Sequence, residues 1–270
     1  MARRWNKQEE TFYKNELQDL YVTKNKTIGE IGLFLNISEQ TVFRRLQRLQ
    51  IPSTPELKEN YLRKRKDITV PEKSSKLAEF FGVMLGDGHL SPTQTVVTLG
   101  SKEILYVQYV VSLMQQLFTA TPKIGLRKTG YRDVYLGSTS IVRWLRSEGL
   151  VQHKVRSQVD VPVWIFNKKE YMEAFVRGFF DTDGSIYKLR FGIQISFTNK
   201  SKPLLVSLQL MLKTLGYRPS KVGALRVYLT RVPDVRRFFT EIQPANEKHV
   251  RRFDEFIQSV GTEVVKRDAL

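Results

Sequence analysis

The stretch 175–187, FVRGFFDTDGSIY, decides how this chain is read. An apolar run with the look of packed helix stops at two acids, Asp181 and Asp183, and Gly184 follows at once. Residues 80–90, FFGVMLGDGHL, have the same outline: an apolar run, then Asp87, then Gly88. Gly82 and Gly178 lie 96 positions apart, and so do Asp87 and Asp183. Farther along, VYLGSTSIVRWLRSEGL (134–150) parallels VYLTRVPDVRRFFTEI (227–242) at an offset of 93, and Lys154 and Lys248 follow at an offset of 94. A two-fold repeat of this length is too long and too few for a solenoid. It predicts duplicated half-domains packed about a pseudo-two-fold axis.

The order of elements inside each unit is legible. In SIYKLRFGIQISFT, Leu189, Phe191, Ile193, Ile195 and Phe197 alternate with Arg190, Gly192, Gln194 and Ser196. Period two predicts strands with one dry and one polar face, and Gly192 marks a hairpin turn or a bulge. The helix KPLLVSLQLMLKTLGY follows with Gly216 as C-cap, then two strand-like pieces in PSKVGALRVYLT, then the helix DVRRFFTEI. The first unit matches with TVVTL, the helix KEILYVQYVVSLMQQLF, KIGLR, DVYLG and the helix SIVRWLRSEGL. Each unit is therefore αββαββα, an α+β fold with helices on one sheet face. The bare face is expected to present Arg127, Tyr135, Lys188, Arg190, Gln194, Arg226 and Tyr228, a basic and polar surface suited to a DNA groove. An ordinary solvated sheet face is the plainer alternative.

Composition agrees with a nucleic-acid partner. The formal net charge is +17, and the excess is spread along the 270 residues rather than gathered in one tail. Such a surface attracts polyanions. No strongly basic amphipathic helix suggests an anionic membrane. No apolar run approaches the roughly 18 residues of a membrane helix. Cysteine is absent, which excludes disulfides and thiolate metal sites and fits a reducing compartment. No signal or transit peptide is read, so an intracellular protein, cytoplasmic or nucleoid-associated, is expected.

The amino-terminal segment TIGEIGLFLNISEQTVFRRLQRLQIP (27–52) has its own pattern. Ile28, Ile31 and Leu35 fall at helical spacing, Ser38 is a good N-cap, and Val42, Leu46 and Leu49 form one stripe of a second helix. Gln40, Thr41, Arg44, Arg45 and Arg48 lie off that stripe and are candidate DNA contacts. Two short helices with a basic second helix predict a helix-turn-helix unit. A helical hairpin with solvated arginines is the alternative. The expected domains are 1–52 for this unit, 53–76 for a linker containing the RKRK run, and 77–167 and 168–270 for the half-domains.

The paired acids carry the chemistry. Small residues four apart, Gly82 with Gly86 and Gly178 with Thr182, would let two helix backbones meet at the pseudo-two-fold axis. The helices would then end together, with Asp87 beside Asp183. Carboxylates that close raise each other's pKa and stay ionised comfortably with a divalent cation between them. Carboxylate and phosphate oxygens suit magnesium. Asp87 and Asp183, with Gly86 and Thr182 immediately before them, are the candidate metal-binding set. A calcium loop at DTDG is set aside, because the loop lacks its opening acid and closing Glu.

FFGVMLGDG and VRGFFDTDG resemble, over all nine positions, the LAGLIDADG motifs of homing endonucleases. The resemblance covers about residues 77–260. Two motifs in one chain imply the monomeric, pseudo-symmetric class, and with no splice-junction features read, a free-standing, intron-encoded enzyme is expected rather than one embedded in an intein. It implies a magnesium-dependent endonuclease that cuts both strands of DNA at a long asymmetric site. The penultimate acid of each motif maps to Asp87 and Asp183. A basic residue near each metal site maps by position to Lys154 and Lys248, which complete the candidate catalytic set. Asp181 stands where the other motif has Leu85 and is expected to act at the helix end rather than as a ligand. His153 and His249 adjoin the lysines, where a phosphate contact is open to them. Two readings compete on the same scaffold: a non-cleaving DNA-binding regulator and an RNA-binding intron maturase.

Overall fold

The computed structural model describes residues 7–24, 26–52, 68–100, 103–190 and 192–267. The RKRK run, most of the expected linker and Phe191 lie outside the described residues. The chain divides into two compact units, residues 1–64 and 65–270.

The small unit is helical. α1 (Lys7–Gln18) continues into a π-helical turn (Asp19–Thr23), followed by α2 (Ile28–Leu35) and α3 (Glu39–Arg48). α2 starts with a reciprocal cap: Thr27 Oγ1 accepts from the Glu30 N–H at 3.2 Å, and Glu30 Oε2 accepts from the Thr27 N–H at 2.7 Å. Ser38 caps α3 by accepting from the Thr41 N–H. Between the helices Asn36 takes a left-handed conformation with φ of 52°, which its short polar side chain tolerates. Leu17, Leu20, Tyr21, Ile31, Val42, Leu46 and Leu49 close the core.

The large unit is α+β and built twice. The first half runs α4 (Ser75–Leu85), β1 (Gly88–Leu90), β2 (Gln94–Leu99), α5 (Ile104–Phe118), β3 (Lys123–Leu126), β4 (Arg132–Gly137) and α6 (Thr139–Ser147). The second runs α7 (Lys169–Asp183), β5 (Gly184–Leu189), β6 (Gly192–Thr198), α8 (Lys202–Thr214), β7 (Arg226–Leu229) and α9 (Val232–Glu241). A helix not anticipated from the sequence, α10 (Glu247–Arg267), follows. Both sheets are antiparallel, in the order β1-β2-β4-β3 and β5-β6-β7. Thr95, Val97 and Leu99 in β2 and Ile193, Ile195 and Phe197 in β6 turn inward, as period two requires. Residues 68–76, expected as linker, already join this unit: the Thr69 N–H donates to Phe118 O at 3.2 Å, and Ser74 caps α4.

Two expectations are corrected. The second sheet has three strands, because 219–222 does not pair as one. Pro219 lacks the donor a ladder needs, and Ala224 and Leu225 are both left-handed, with φ of 46° and 58°. That tight reversal leaves the Ser220 N–H to Tyr228 O bond in place of a ladder. Leu189 is 41% exposed rather than on the dry face, because β5 runs out past the core toward its turn. Gly192, with φ of 149°, stands at that hairpin reversal opposite Leu189.

The two halves meet where α4 crosses α7. A Cβ on Gly82 would lie 2.7 Å from Phe179 N and collide with Phe175 O. One on Gly178 would lie 3.0 Å from Val83 N and collide with Glu79 O. The contact is therefore backbone on backbone. Gly178→Ala is expected to destabilise the protein by about 3 kcal/mol, since a backbone neighbour has no rotamer by which to yield. Urea unfolding should show a lower midpoint at unchanged slope. Gly223→Ala, where a Cβ meets nothing within 4 Å, is the matched control and should be near neutral.

Candidate metal and nucleic-acid site

Because α4 and α7 touch along their length, they also end side by side. Asp87 follows α4 and Asp183 is the last residue of α7. The Asp183 Cγ lies 3.5 Å from where a Cβ on Gly86 would stand, so its carboxyl rests against the residue preceding Asp87. Asp87 is open to solvent on one side and crowded by protein on the other. That crowding, then the charge of Asp183, pushes its carboxyl up to about 7, while Lys248 and Lys154 pull it down. Burial pushes Asp183 up to about 6, against the Asn199 hydrogen bond and the Lys154 charge.

A helix C-terminus leaves carbonyls without intrahelical partners and is the negative end of the helix dipole. At the end of α4 that need is met by Lys154. Its Nζ donates to Met84 O at 3.0 Å, to Leu85 O at 3.2 Å, and to Gly86 O. Burial lowers the Lys154 pKa, while Asp183 and Asp87 raise it. Lys248, on the first turn of α10, is paired instead with Glu103 at 2.6 Å. The two lysines therefore do different work: Lys154 caps a helix beside the acids, and Lys248 reaches Asp87 by charge while held by Glu103.

Asn199 is a site residue that the sequence reading missed. Its Nδ2 donates to Asp183 Oδ2 at 2.6 Å and to Leu85 O at 3.5 Å, and its Oδ1 accepts from the Ser201 N–H. It ties the second acid to the end of the first helix. Its sequence signal is faint, a single polar residue just beyond a strand. Thr182, by contrast, turns its hydroxyl back onto Gly178 O and Phe179 O. Any ligand role there falls to its carbonyl. A cleft gathers Gly86, Lys154, Asp183, Asn199, Lys200 and Arg226.

Asp181 sits apart from the cleft. It is 1% exposed, and its two oxygens accept from the Ala245 and Asn246 N–H groups at 2.9 and 3.0 Å. Burial pushes it up to about 8 against those two bonds. It anchors the entry to α10, which explains an acid where the other motif has Leu85. The phosphate contact considered for His249 is overturned. The ring is fully buried against Phe180, and burial pushes its pKa down to about 3, so it stays neutral. His153 is exposed.

The remaining candidates fall in separate places. On α3, Gln40, Arg44 and Arg48 are exposed, while Thr41 is half-buried. The Thr41 hydroxyl shares a hydrogen bond with Ser38, and Arg45 lies over the Tyr13 ring at 5.0 Å. On the second sheet, Lys188, Arg190 and Arg226 are exposed, and Gln194 and Tyr228 are half-buried. On the first, Tyr135 lies between Val96 and Lys123. Arg127 stands just past β3, where its Nε donates to Asp133 and its Nη2 to Thr98. Its guanidinium is thus partly engaged by its own sheet.

Burial of Asp87, then the charge of Asp183, gives a measurable pH dependence. The folded pKa of Asp87 lies above its ordinary value, so the folded state binds the extra proton, and stability falls as pH rises between the two values. In divalent-free buffer, Asp87→Asn should be more stable than the parent. The gain should grow from about pH 4 to about pH 7 and stay level above that. Equal pH profiles would show that neither burial nor the Asp183 charge raises Asp87 in the folded chain.

Comparison with known proteins bears on the second half. Residues 170–243, from α7 through α9, match a LAGLIDADG-like domain. The replication factor C small subunit of Methanocaldococcus jannaschii is 29% identical over 116 residues, which is 43% of this chain and 6% of that protein. The chain thus spans a small fraction of that curated relative. Among solved structures, mesophilic variants of the homing endonuclease I-DmoI superpose with a TM-score of 0.46 at 18% identity, covering 62% of this chain and 94% of theirs. Full-length DUF199/WhiA from Thermatoga maritima superposes with a TM-score of 0.47 at 16% identity, covering 74% of this chain and 68% of its own.

Proposed function

We propose that the chain is a site-specific endonuclease that hydrolyses phosphodiester bonds in both strands of a long DNA target. The observation that carries this reading is the meeting of Asp87 and Asp183 at the joint end of α4 and α7, against Gly86 and beside the Lys154 ammonium. Two crowded carboxyls, both pushed up by burial and one of them also by its neighbour, with carbonyls alongside, form a hard oxygen donor set suited to a divalent cation such as magnesium. Asp87 and Asp183 would hold it, with the carbonyls of Gly86 and Thr182 as further oxygens. Among the described residues no cluster of three or more His, Cys, Asp or Glu side chains forms a closed cage. An ion here would therefore take oxygens from the DNA as well, which is how magnesium prefers to be bound. When bound, such an ion stabilises the negative charge that builds on the scissile phosphate.

The chain's own groups do the rest. Asn199 fixes the orientation of Asp183, and Lys154 holds the α4 terminus in place. Lys248 and Lys154 temper the negative charge around Asp87. Lys188, Arg190 and Arg226, with Gln194, Tyr135 and Tyr228, would lie along the duplex. The +17 charge supplies the general attraction. The small unit, read as a helix-turn-helix, would add contacts through Gln40, Arg44 and Arg48. That unit is also the feature that favours the second reading, a DNA-binding regulator that does not cut.

The test is incubation of the chain with magnesium and a diverse duplex library, with sequencing of newly made ends. Defined ends at one long motif are expected from the parent. Asp183→Asn should lose cleavage by about a thousandfold or more while retaining the same DNA, the size of losing a charge-stabilising group. Cutting at the parent rate by that variant would overturn the site. Strong retention of one motif without ends, by the parent itself, would establish the regulator. Retention should also fall by roughly a decade or more between 50 and 200 mM salt if several phosphates are contacted.

A further inference from the structure

The outward face of α3 carries Gln40, Phe43, Arg44 and Gln47, spaced i, i+3, i+4, i+7. Residues at that spacing share one side of a helix. All four are exposed, and Phe43 keeps 48% of its surface in solvent. The opposite face, Val42, Leu46 and Leu49, closes the core of the small unit without it. Phe43 is thus a phenyl ring among the amides of Gln40 and Gln47, with the exposed Glu39 one turn before it and Arg44 next to it, and it has no part in the core.

We propose that Phe43 determines specificity by packing on the C5 methyl group of a thymine in the major groove. The inference rests on the reading that the small unit binds duplex DNA through α3. The second helix of such a unit lies in the major groove with its early residues on base edges. The groove floor is read mainly through hydrogen-bond donors and acceptors, and the thymine methyl is its one apolar group larger than a C–H. A phenyl ring set over donors and acceptors strips their water and returns nothing. Over a thymine it buries a methyl group. The flanking side chains complete the pattern: Gln40 and Gln47 suit adenine, and Arg44 suits guanine or a phosphate. Charge favours the polyanion over a second copy of the chain, since Arg44 lies on this face and the chain carries +17, while Arg48 at its rim is paired with Glu10 at 3.6 Å.

The test uses the full chain, without divalent ions, to select from randomised duplex DNA, in parallel with Phe43→Ala. Each thymine of the selected duplex is then replaced by uracil, which removes only the methyl. One position is expected where uracil weakens parental binding roughly fourfold, the size of one buried methyl group. Phe43→Ala should be indifferent to that replacement and should no longer enrich thymine there. No effect of uracil at any position, or the same loss in both proteins, overturns the inference. If the parent retains DNA and Phe43→Ala selects the same sequence, the inference fails while DNA binding stands. If the parent retains no duplex, both fail. A change of solution mass on Phe43→Ala would overturn it too, assigning the ring to self-association.

Discussion

The backbone contact between α4 and α7, made at Gly82 and Gly178, is the constraint on which the large unit depends. Two helices can come this close only where neither carries a side chain, and the crossing fixes where both of them stop. It brings two C-termini to one place, each followed or ended by an acid. Carbonyl ends and carboxylates gathered together make a locus of negative potential within a strongly basic chain. Such a locus is unfavourable unless cations attend it, and the fold supplies one directly: Lys154 caps the carbonyls. Lys248 offsets the charge from a distance while Glu103 restrains it. The remaining deficit is carried by the acids, whose carboxyls are held above their ordinary range.

The two ends are not chemical copies. Asp183 has Asn199 on one oxygen, whereas the pairing register puts Leu99, the last residue of β2, at the corresponding place, since Val97 and Phe197 oppose the matching glycines. Asp87 has instead the charges of Lys248 and Glu103 near it. Duplication has kept the backbone and the two acids while the polar groups around them have diverged. Asp181 and Leu85 show the same thing two residues back, where one half has an anchor for α10 and the other packs an apolar side chain.

Most of the architecture was legible in the sequence because it rests on period and repeat. The paired motifs, the alternation in β6 and the apolar stripe of α3 follow from spacing alone, and the folded chain shows each of them. What escaped depends on contacts between distant residues. Asn199 reaches Leu85 from 114 positions away, and Arg127 is engaged by an acid across a strand turn. His249 read as a surface histidine beside a lysine, but helix phase turned it inward. The second sheet lost a strand to two left-handed residues, neither of them glycine, that no local pattern announces. The Thr27 and Glu30 cap, by contrast, is a local signal, legible as T-x-x-E.

The same helix crossing has a mechanical consequence. Side-chain packing gives way by rotamer changes, but a contact between peptide groups has no such slack. The axis of the large unit is therefore expected to be stiffer than its rims, and hinge bending between the halves would have to break this backbone contact. Compliance is left to the rims, where short strands and reversals such as 223–226 are held by few bonds. A long ligand laid across both sheets would meet a rigid spine at its middle and yielding edges at its ends. Strain imposed on such a complex would be borne by the ligand at its centre, directly over the two acids, and relaxed by the protein toward either end.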